Sequence, residues 1–237
     1  MSGDIIIPAY NPGKELVQAI LSCHNQSYED YLITVIDDNS SIDVKKLLWD
    51  FPNIRYLRNE KNLGPAGARN VGIKSSDAEF ISFLDADDIM HKDKLKNSMK
   101  AMRKDDSLGM TCGNYQVVLN RKKLLEPFYK KPVKINHKSL MRQNFVASGS
   151  VTVRKSVFDK VGLFDESLWI AEDYDMWLRI SEAYRIEYLH KVLYYYSVVP
   201  GGNSLTQRHD VQRDHDKNIE RIKSASKDRV GSQKGVR

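Results

Sequence analysis

The chain has 237 residues, with 37 Lys and Arg against 31 Asp and Glu, so its formal charge is +6. A composition of 41% hydrophobic and 29% charged residues fits one large packed domain and argues against a largely disordered chain. The two cysteines, Cys23 and Cys112, are too few for a disulfide framework, and no stretch reaches the roughly 20 apolar residues that a membrane-spanning helix needs.

Strand and helix patterns alternate along the first half of the chain. Short apolar runs predict strands at 5–8, 32–36, 54–57 and 80–84, and apolar residues at helical spacing predict helices at 14–23, 42–49 and 65–74. Apolar strands separated by helices form parallel sheets with both faces covered. We therefore expect an α/β fold with a Rossmann-like, mostly parallel central sheet and helices on both faces.

The second half is less regular. Strand patterns at 117–119 and 146–153, a helix pattern at 172–183 and a tyrosine-rich strand pattern at 186–199 predict a mixed sheet. We expect a single domain over 1–204, with one half at 1–110 and the other at 111–204. Residues 205–237 are polar, and we expect a helix there that becomes a disordered tail from about Ser224.

Polar residues follow three of the first four predicted strands. The segments are PAYN at 8–11, DDNS at 37–40 and DADD at 85–88, and ligands bind at the carboxyl ends of the strands in such sheets. Five carboxylates at one edge would repel each other, so a Mg²⁺ or Mn²⁺ ion bound by their oxygens is the simplest resolution. The alternative is that these residues only close the strands as turn formers.

Positive charge is concentrated at 121–138, where seven Lys and Arg accompany one Glu. A solvated loop is one interpretation, and contact with an anionic partner is the other. Phospholipid head groups or a phosphorylated acceptor fit better than nucleic acid, because no nucleic-acid-binding motif accompanies the charge. The first residues, MSGDIIIPAYN, show no secretory signal pattern, so we expect a cytoplasmic protein, and any contact with an anionic membrane would be peripheral at its inner face.

Five sequence segments carry a family resemblance: IIIPAYN (5–11), NQSYEDYLITVIDDNS (25–40), NLGPAGARNVGI (62–73), FISFLDADD (80–88), and VGLFDES with AEDYDMWLRI (161–180). In this order they resemble the family 2 glycosyltransferases, which are inverting enzymes of the GT-A fold. The ordered set is far more specific than any one segment. The resemblance implies sugar transfer from a nucleotide diphosphate to an acceptor hydroxyl, with 1–110 as the nucleotide-binding half and 111–204 as the acceptor half.

The resemblance implies a nucleotide site in the first half. Asp38 would accept a hydrogen bond from the imide N–H of uracil, which favours a UDP-sugar as the donor. Arg69 would bring a positive charge to the diphosphate or stabilise Asp85. Four further residues would line the base and the ribose: Pro8, Ala9, Tyr10 and Asn11.

The family resemblance also implies a metal site and a catalytic base. Asp85 and Asp87 form a D-x-D pair that would hold Mn²⁺ or Mg²⁺, with Asp87 as the direct ligand and Asp85 nearer the ribose or a metal-bound water. Asp88 corresponds to a structural turn carboxylate. Asp173 corresponds to the base that takes the acceptor's proton, whereas Glu172 is explained as well by a helix N-terminus, which favours acids.

Three side chains near Asp173 have simpler interpretations. Asp175 and Arg179 stand four residues apart on the predicted helix, which predicts a structural salt bridge. Trp169 either stacks on the acceptor sugar or packs in the core.

One departure from the family's pattern concerns the metal. The family often has an Arg and a His just after the tyrosine-rich strand, and Ser197 and Val199 stand there in this chain. The metal would then have fewer protein ligands, with His209 as a distant substitute, so we expect weak metal binding without nucleotide. We expect a transferase that acts on a saccharide or lipid-linked acceptor in surface polysaccharide or glycolipid synthesis. The alternative is a catalytically silent nucleotide-sugar-binding homologue or assembly subunit.

Overall fold

The computed structural model describes residues 2–119, 123–131, 133–198 and 209–234. Strands in these ranges are β1 (Gly3–Ala9), β2 (Tyr31–Asp37), β3 (Arg55–Arg58), β4 (Phe80–Phe83), β5 (Ile89–Met90), β6 (Leu108–Leu119), β7 (Lys123–Pro127), β8 (Thr152–Arg154) and β9 (Arg185–Val198). The α-helices are α1 (Glu15–His24), α2 (Gly64–Ser75), α3 (Lys94–Met102), α4 (His137–Leu140), α5 (Ser156–Val161), α6 (Glu172–Ala183) and α7 (His209–Lys234). Two 3₁₀ turns lie at Val44–Leu48 and Ser148–Ser150.

All the strands belong to one sheet. Their order is β3-β2-β1-β4-β8-β6-β9-β5, with β7 paired to β6. The first four strands are parallel, whereas β8 runs antiparallel to both β4 and β6, and β9 runs parallel to β6. As a result β6 and β9 point in the same direction as β1. The predicted parallel first half and mixed second half are both observed.

Apolar side chains cover the two faces of this sheet. Successive residues of a strand point to opposite faces, so Ile6 packs with one set of helices and its neighbours Ile5 and Ile7 pack with another. One apolar layer includes residues of α2, α5 and α6, and the other includes residues of α1 and α3. The prediction of helices on both faces is therefore confirmed.

The predicted strand at 146–153 is wrong. Residues Ser148–Ser150 form a 3₁₀ turn, and the strand β8 begins only at Thr152. The Ser150 hydroxyl donates to the carbonyl of Ala147 at 2.7 Å, which closes the turn. Gly149 lies against the ring of Tyr194, where a Cβ would come within 2.4 Å of the ring. The chain can pass this ring only because the position carries no side chain.

Other boundaries also differ from the predictions. The predicted helix at 42–49 is a short 3₁₀ turn, and the strand predicted at 117–119 begins at Leu108 as part of β6. α7 continues to Lys234, past Ser224 where we expected the chain to fray. Buried Ile222 and an ion pair between Arg229 and Glu182 at 2.9 Å hold α7 against α6 and explain this extension. The division of the domain at 110 and at 204 stays a prediction.

No helix in the described part of the chain is both long and apolar enough to cross a membrane.

Candidate active site

The site lies at the edge of the sheet where the parallel strands end. The register pairs Ala9 with Asp37 and Ile6 with Phe83, so the loops that follow β1, β2 and β4 leave the sheet side by side. Pro8 is half-buried and Ala9 is buried. The carbonyl of Ala9 accepts the backbone N–H of Asp38 at 2.8 Å, which joins the first two loops at their origin.

The loops after β1 and β2 are locked together by Asn11. Its backbone N–H donates to the Ser40 hydroxyl at 2.8 Å, and its side-chain oxygen accepts the backbone N–H of Ser41 at 2.7 Å. Asn11 and Asn39 both have positive φ, at 46° and 63°, a conformation that Asn tolerates better than most residues. Tyr10 is 57% exposed, so its ring is available to a ligand at this edge.

Asp38 is buried and held in one orientation. Its Oδ1 accepts the side-chain amide of Asn59 at 2.7 Å and the backbone N–H of Leu63 at 2.9 Å. These two bonds leave Oδ2 as the oxygen that the uracil assignment would use. Asn59 was not among the predicted site residues, although it stands three residues before the NLGPAGARN segment.

The neighbouring Asp37 holds the structure of the sheet edge. It accepts hydrogen bonds from the Tyr56 hydroxyl at 2.7 Å, from the backbone of Ser40 at 2.8 Å and from Arg58. Burial alone would raise the pKa of Asp37, but these hydrogen bonds outweigh it and lower the pKa. Asp37 therefore joins β2 to β3, while Asp38 faces the site.

Arg69 is the central cation of the site. Only 4% of Arg69 is exposed, and its guanidinium bonds the carboxylate of Asp85 at 2.8 Å and that of Glu172 at 2.6 Å. Burial opposes its charge, but Asp85, Glu172 and Asp173 raise the pKa of Arg69. Burial and the adjacent Asp173 raise the pKa of Glu172, and Arg69 opposes that rise. Arg69 thus ties α2 to the loop after β4 and to the start of α6.

The loop after β4 carries two further carboxylates. Asp87 is exposed, whereas Asp88 is 1% exposed and its Oδ1 accepts the backbone N–H of Ser197 at 2.8 Å. Burial, Asp85 and Asp87 raise the pKa of Asp88 well above its usual value. The other oxygen of Asp88 is buried without a hydrogen-bond partner. In the ranges that the structure describes, no three His, Cys, Asp or Glu side chains are grouped to hold a metal.

Asp173 stands in the first turn of α6, facing the 3₁₀ turn that contains Ser148. The Ser148 hydroxyl donates to its Oδ2 at 2.7 Å, and the backbone N–H of Tyr174 donates to its Oδ1 at 2.6 Å. Ala171, which precedes this turn, has φ 64° and ψ 18°. This left-handed conformation is unfavourable for alanine and sets the angle at which Asp173 enters the site. No sequence pattern predicted the hydrogen bond between Ser148 and Asp173, because 25 positions separate the two residues.

Near Asp173, Asp175 and Arg179 form a structural ion pair, whereas Trp169 is exposed to solvent. Arg179 bonds Asp175 at 2.8 Å and also donates to the carbonyl of Val161 at 2.6 Å, so the predicted structural salt bridge is present. Trp169 is 53% exposed and lies against Gly64, where a Cβ would meet the ring at 3.4 Å. The core alternative for Trp169 is therefore wrong, and one side of its ring rests on the start of α2.

Of the three positions considered for the metal shell, the structure describes the side chain of Ser197 alone. Val199 lies outside the described residues, and the side chain of His209 is outside them as well. Ser197 contributes its backbone N–H to Asp88.

Comparison with known proteins identifies the family of this chain. The family model "Glycosyl transferase family 2" matches residues 4–162. WfgD of Escherichia coli, a UDP-Glc:alpha-D-GlcNAc-diphosphoundecaprenol beta-1,3-glucosyltransferase, is 31% identical over 74% of this chain and 68% of its own length. Chondroitin synthase of Escherichia coli is 27% identical over 89% of this chain. The chain spans 31% of the length of that synthase and 33% of the length of a glycosyltransferase of Rickettsia felis.

Solved structures share the fold. Residues 1–349 of S. aureus TarS in complex with UDP-GlcNAc match with a TM-score of 0.78 at 21% identity, over 95% of this chain and 66% of that one. The complex of the same protein with UDP matches with a TM-score of 0.73 at 22% identity. The GT-A type α/β fold predicted from the sequence is confirmed. Because the family model covers more than half of the residues, this chain belongs to glycosyl transferase family 2.

Proposed function

We propose that the chain transfers a sugar from a UDP-sugar to an acceptor hydroxyl with inversion, in the synthesis of a surface polysaccharide or glycolipid. The observation that carries this proposal is the network around Arg69, which joins Asp85 after β4 to Glu172 at the start of α6. It brings the predicted donor side and the predicted base into one site. WfgD is named for a UDP-Glc donor and TarS binds UDP and UDP-GlcNAc, which favours UDP here.

The nucleotide would bind over the loops after β1 and β2. Asp38 has one carboxylate oxygen engaged by Asn59 and Leu63, and the second oxygen would accept the imide N–H of uracil. The exposed ring of Tyr10 would contact the base or the ribose, with Pro8, Ala9 and Asn11 beneath it. Since the side-chain oxygen of Asn11 already bonds Ser41, Asn11 would act by shaping the loop.

The residues present fit a hard divalent cation. Asp85, Asp87 and Asp88 stand close together on one short loop, and the charges of Asp85 and Asp87 add to burial in raising the pKa of Asp88, a repulsion that a bound cation would relieve. Carboxylate oxygens are the ligands that Mg²⁺ and Mn²⁺ prefer. Asp87 and the Asp85 oxygen that does not face Arg69 would hold the ion, which would supply stabilisation for the leaving diphosphate. Few protein ligands are available, so we expect the ion to bind chiefly together with the nucleotide.

Asp173 would act as the base. As the acceptor oxygen attacks the anomeric carbon, its proton passes to the Asp173 carboxylate, and the bond from that carbon to the UDP oxygen breaks. A direct displacement of this kind inverts the anomeric configuration and forms no covalent enzyme intermediate. The hydrogen bond from Ser148 fixes one oxygen of Asp173. Asp173 lies beyond the residues that the family model matches, so its role rests on its place in the site.

A membrane or lipid-linked acceptor would approach at the same edge of the sheet. β6 points in the same direction as β1, so the β6–β7 hairpin extends past the carboxyl ends of the parallel strands. Leu124 and Phe128 on this hairpin are 52% and 53% exposed, and Lys130 and Lys131 beside them are exposed. Exposed apolar side chains flanked by lysines are suited to anionic lipid surfaces.

A donor screen tests this function. We expect release of UDP from one UDP-sugar, dependent on an acceptor and increased by Mn²⁺, when candidate saccharide and lipid-linked acceptors are supplied. The silent homologue would bind UDP in a titration but would release none from any donor. A chain that binds no UDP, with or without Mn²⁺, would contradict both functions.

A further inference from the structure

Lys94, the first residue of α3, is completely buried. Its side chain has 0% exposure, and its Nζ donates to the backbone carbonyl of Phe83 at 3.1 Å. It shares its helix with Leu95, Met99 and Met102, which are buried apolar residues. A lysine in such surroundings is unusual, because Lys is almost never fully buried unless it is paired.

This burial is unfavourable for the charged side chain. Removing an ammonium group from water is costly, and here burial lowers the pKa of Lys94 to about 7, while Cys23 and Asp85 oppose the shift. One hydrogen bond to a carbonyl contributes much less to stability than that cost. An apolar residue of similar length would therefore stabilise the fold at least as well, and the lysine calls for an explanation outside stability.

The hydrogen bond of Lys94 falls where β4 becomes the carboxylate loop. Phe83 is the last residue of β4, and Asp85 follows two positions later. The loop is closed by the Asp88 N–H to the Asp85 carbonyl at 3.1 Å. At its origin the Leu84 N–H also donates to the Ile6 carbonyl at 3.1 Å. The remaining supports lie farther along the chain, at Asp85 through Arg69 and at Asp88 through the Ser197 N–H. Lys94 thus supports the loop at its origin, from the buried side.

We propose that Lys94 is a positioning residue for the donor site, which fixes the direction in which the chain leaves β4 through its bond to the Phe83 carbonyl and places an amino group behind Asp85. Arg69 contacts the Asp85 carboxylate from the direction of α2, and Lys94 approaches from the direction of α3. With both side chains in place, the Asp85 oxygen that does not bond Arg69 would face the diphosphate and its cation. This inference rests on the proposed function. Lys94 is buried and has no contact with the donor in this role.

The test compares Lys94→Met with Lys100→Met, which removes an exposed lysine from the same helix. UDP affinity is measured by calorimetric titration with and without Mn²⁺, and Tm is measured on the same samples. We expect Lys94→Met to keep or raise the Tm while its UDP affinity in Mn²⁺ falls by roughly 10- to 100-fold, the usual range for residues that orient a metal ligand from behind. Lys100→Met should change neither quantity.

Lys94→Gln is the second variant, because it keeps an N–H donor for the Phe83 carbonyl should the methionine variant not fold. We expect it to lose UDP affinity in Mn²⁺ as well, since its side chain is shorter and has no amino group to place behind Asp85. Unchanged affinity in a folded variant would overturn this inference, and so would a Tm that falls together with the affinity. If the wild-type chain binds no UDP, the proposed function fails first and this inference fails with it.

Discussion

Backbone strain at single residues coincides with the site. In the described ranges, positive φ outside glycine occurs at Asn11, Asn39 and Ala171. Asn11 and Asn39 flank the proposed nucleotide loops, and Ala171 precedes Glu172 and Asp173. Strained backbone persists only where the surrounding structure holds it, and it concentrates at functional sites. At Ala171 the penalty is roughly 1–2 kcal/mol, and nothing in the residue types around it could have predicted this conformation.

At Asp173, replacement by Asn tests the proposed base. The amide keeps the size of the carboxylate and an oxygen that can accept the hydrogen bond from Ser148, but it is a far weaker base. We expect acceptor-dependent transfer to fall by roughly 10²- to 10⁴-fold, the usual contribution of positioned proton transfer. UDP affinity and Tm should stay at their wild-type values.

Ser148→Ala is the matched control for Asp173→Asn. It removes the hydrogen bond and leaves the carboxylate, so we expect a smaller loss of transfer, roughly fivefold for an interaction of about 1 kcal/mol. Near-normal transfer by Asp173→Asn would contradict the role of this residue as the base. A parallel fall in UDP affinity and Tm would instead indicate a structural role.

At Asp38, replacement by Asn tests nucleotide selection. The asparagine oxygen can still accept from Asn59 and the Leu63 N–H, but its amide cannot accept the imide N–H of uracil. We expect the wild type to bind UDP more tightly than ADP, and Asp38→Asn to lose most of that preference. Titration of both nucleotides measures the ratio of their affinities. Wild-type binding of ADP as tight as that of UDP would contradict the assignment.

At the scale of elements, the sequence is informative where hydrophobic periodicity is strong. β1, β2 and α6 match their predicted ranges closely, because each carries a buried apolar pattern. α3 was missed because its buried face contains two polar residues, Lys94 and Ser98, beside its few apolar ones. The start of β6 was missed because small residues dominate it. Pairing of β6 with β9 is a tertiary interaction that local patterns do not encode.

The candidate site shows the same contrast. The strand-end carboxylates could be located from the sequence, since parallel strands bring their carboxyl ends to one edge. The bond between Arg69 and Glu172 joins residues 103 positions apart, and no local pattern marks either residue as its partner. A helix N-terminus was enough to explain Glu172 in isolation. Its burial beside Arg69 became evident only in three dimensions.

The β6–β7 hairpin gives a prediction about membrane binding. Neutral replacement of Lys130, Lys131 and Lys134 should weaken binding to vesicles that contain anionic lipid by roughly 1 kcal/mol per lysine near the surface. Wild-type binding should fall as added salt screens the charges. Vesicle sedimentation at several salt concentrations measures both effects.

The control for the hairpin prediction changes the same number of charges elsewhere. Lys92, Lys96 and Lys100 are exposed beside or on α3, so their neutral replacement alters net charge equally. We expect this control to keep most of the binding. Equal losses in both triple variants would show a net-charge effect, and no loss in the hairpin variant would favour a plain solvated loop.

At the scale of the whole molecule, buried acids shape the dependence of stability on pH. Asp4 on β1 is completely buried, and one of its oxygens accepts a hydrogen bond from Thr34 of β2 at 2.9 Å. Burial raises the pKa of Asp4, and hydrogen bonds from Ser76 and Thr34 and the charge of Arg55 only partly oppose it. Between the ordinary pKa of an aspartate and the raised pKa of Asp4, the folded state binds more protons than the unfolded state. The free energy of unfolding therefore decreases as the pH rises through this range, and it recovers as the pH falls.

Asp4→Asn tests this pH dependence, because the amide imitates the protonated acid. We expect the variant to have a higher Tm than the wild type at pH 7. The difference should shrink as the pH falls towards 4. Asp4 lies at the opposite edge of the sheet from the site, so UDP binding should be unchanged. A lower Tm for the variant at pH 7 would contradict the burial argument.

The position of β8 has a consequence for how the chain is synthesised. β8 (Thr152–Arg154) pairs with β4 and β6, and the Ser82 hydroxyl meets that of Thr152 at 2.7 Å across 70 positions of sequence. Synthesis proceeds from the N-terminus, so the strands β1 to β4 can assemble while the far edge of β4 is still open. An unpaired apolar edge is a template for pairing with other chains. We therefore expect nascent chains to be most prone to aggregate until these three residues leave the ribosome.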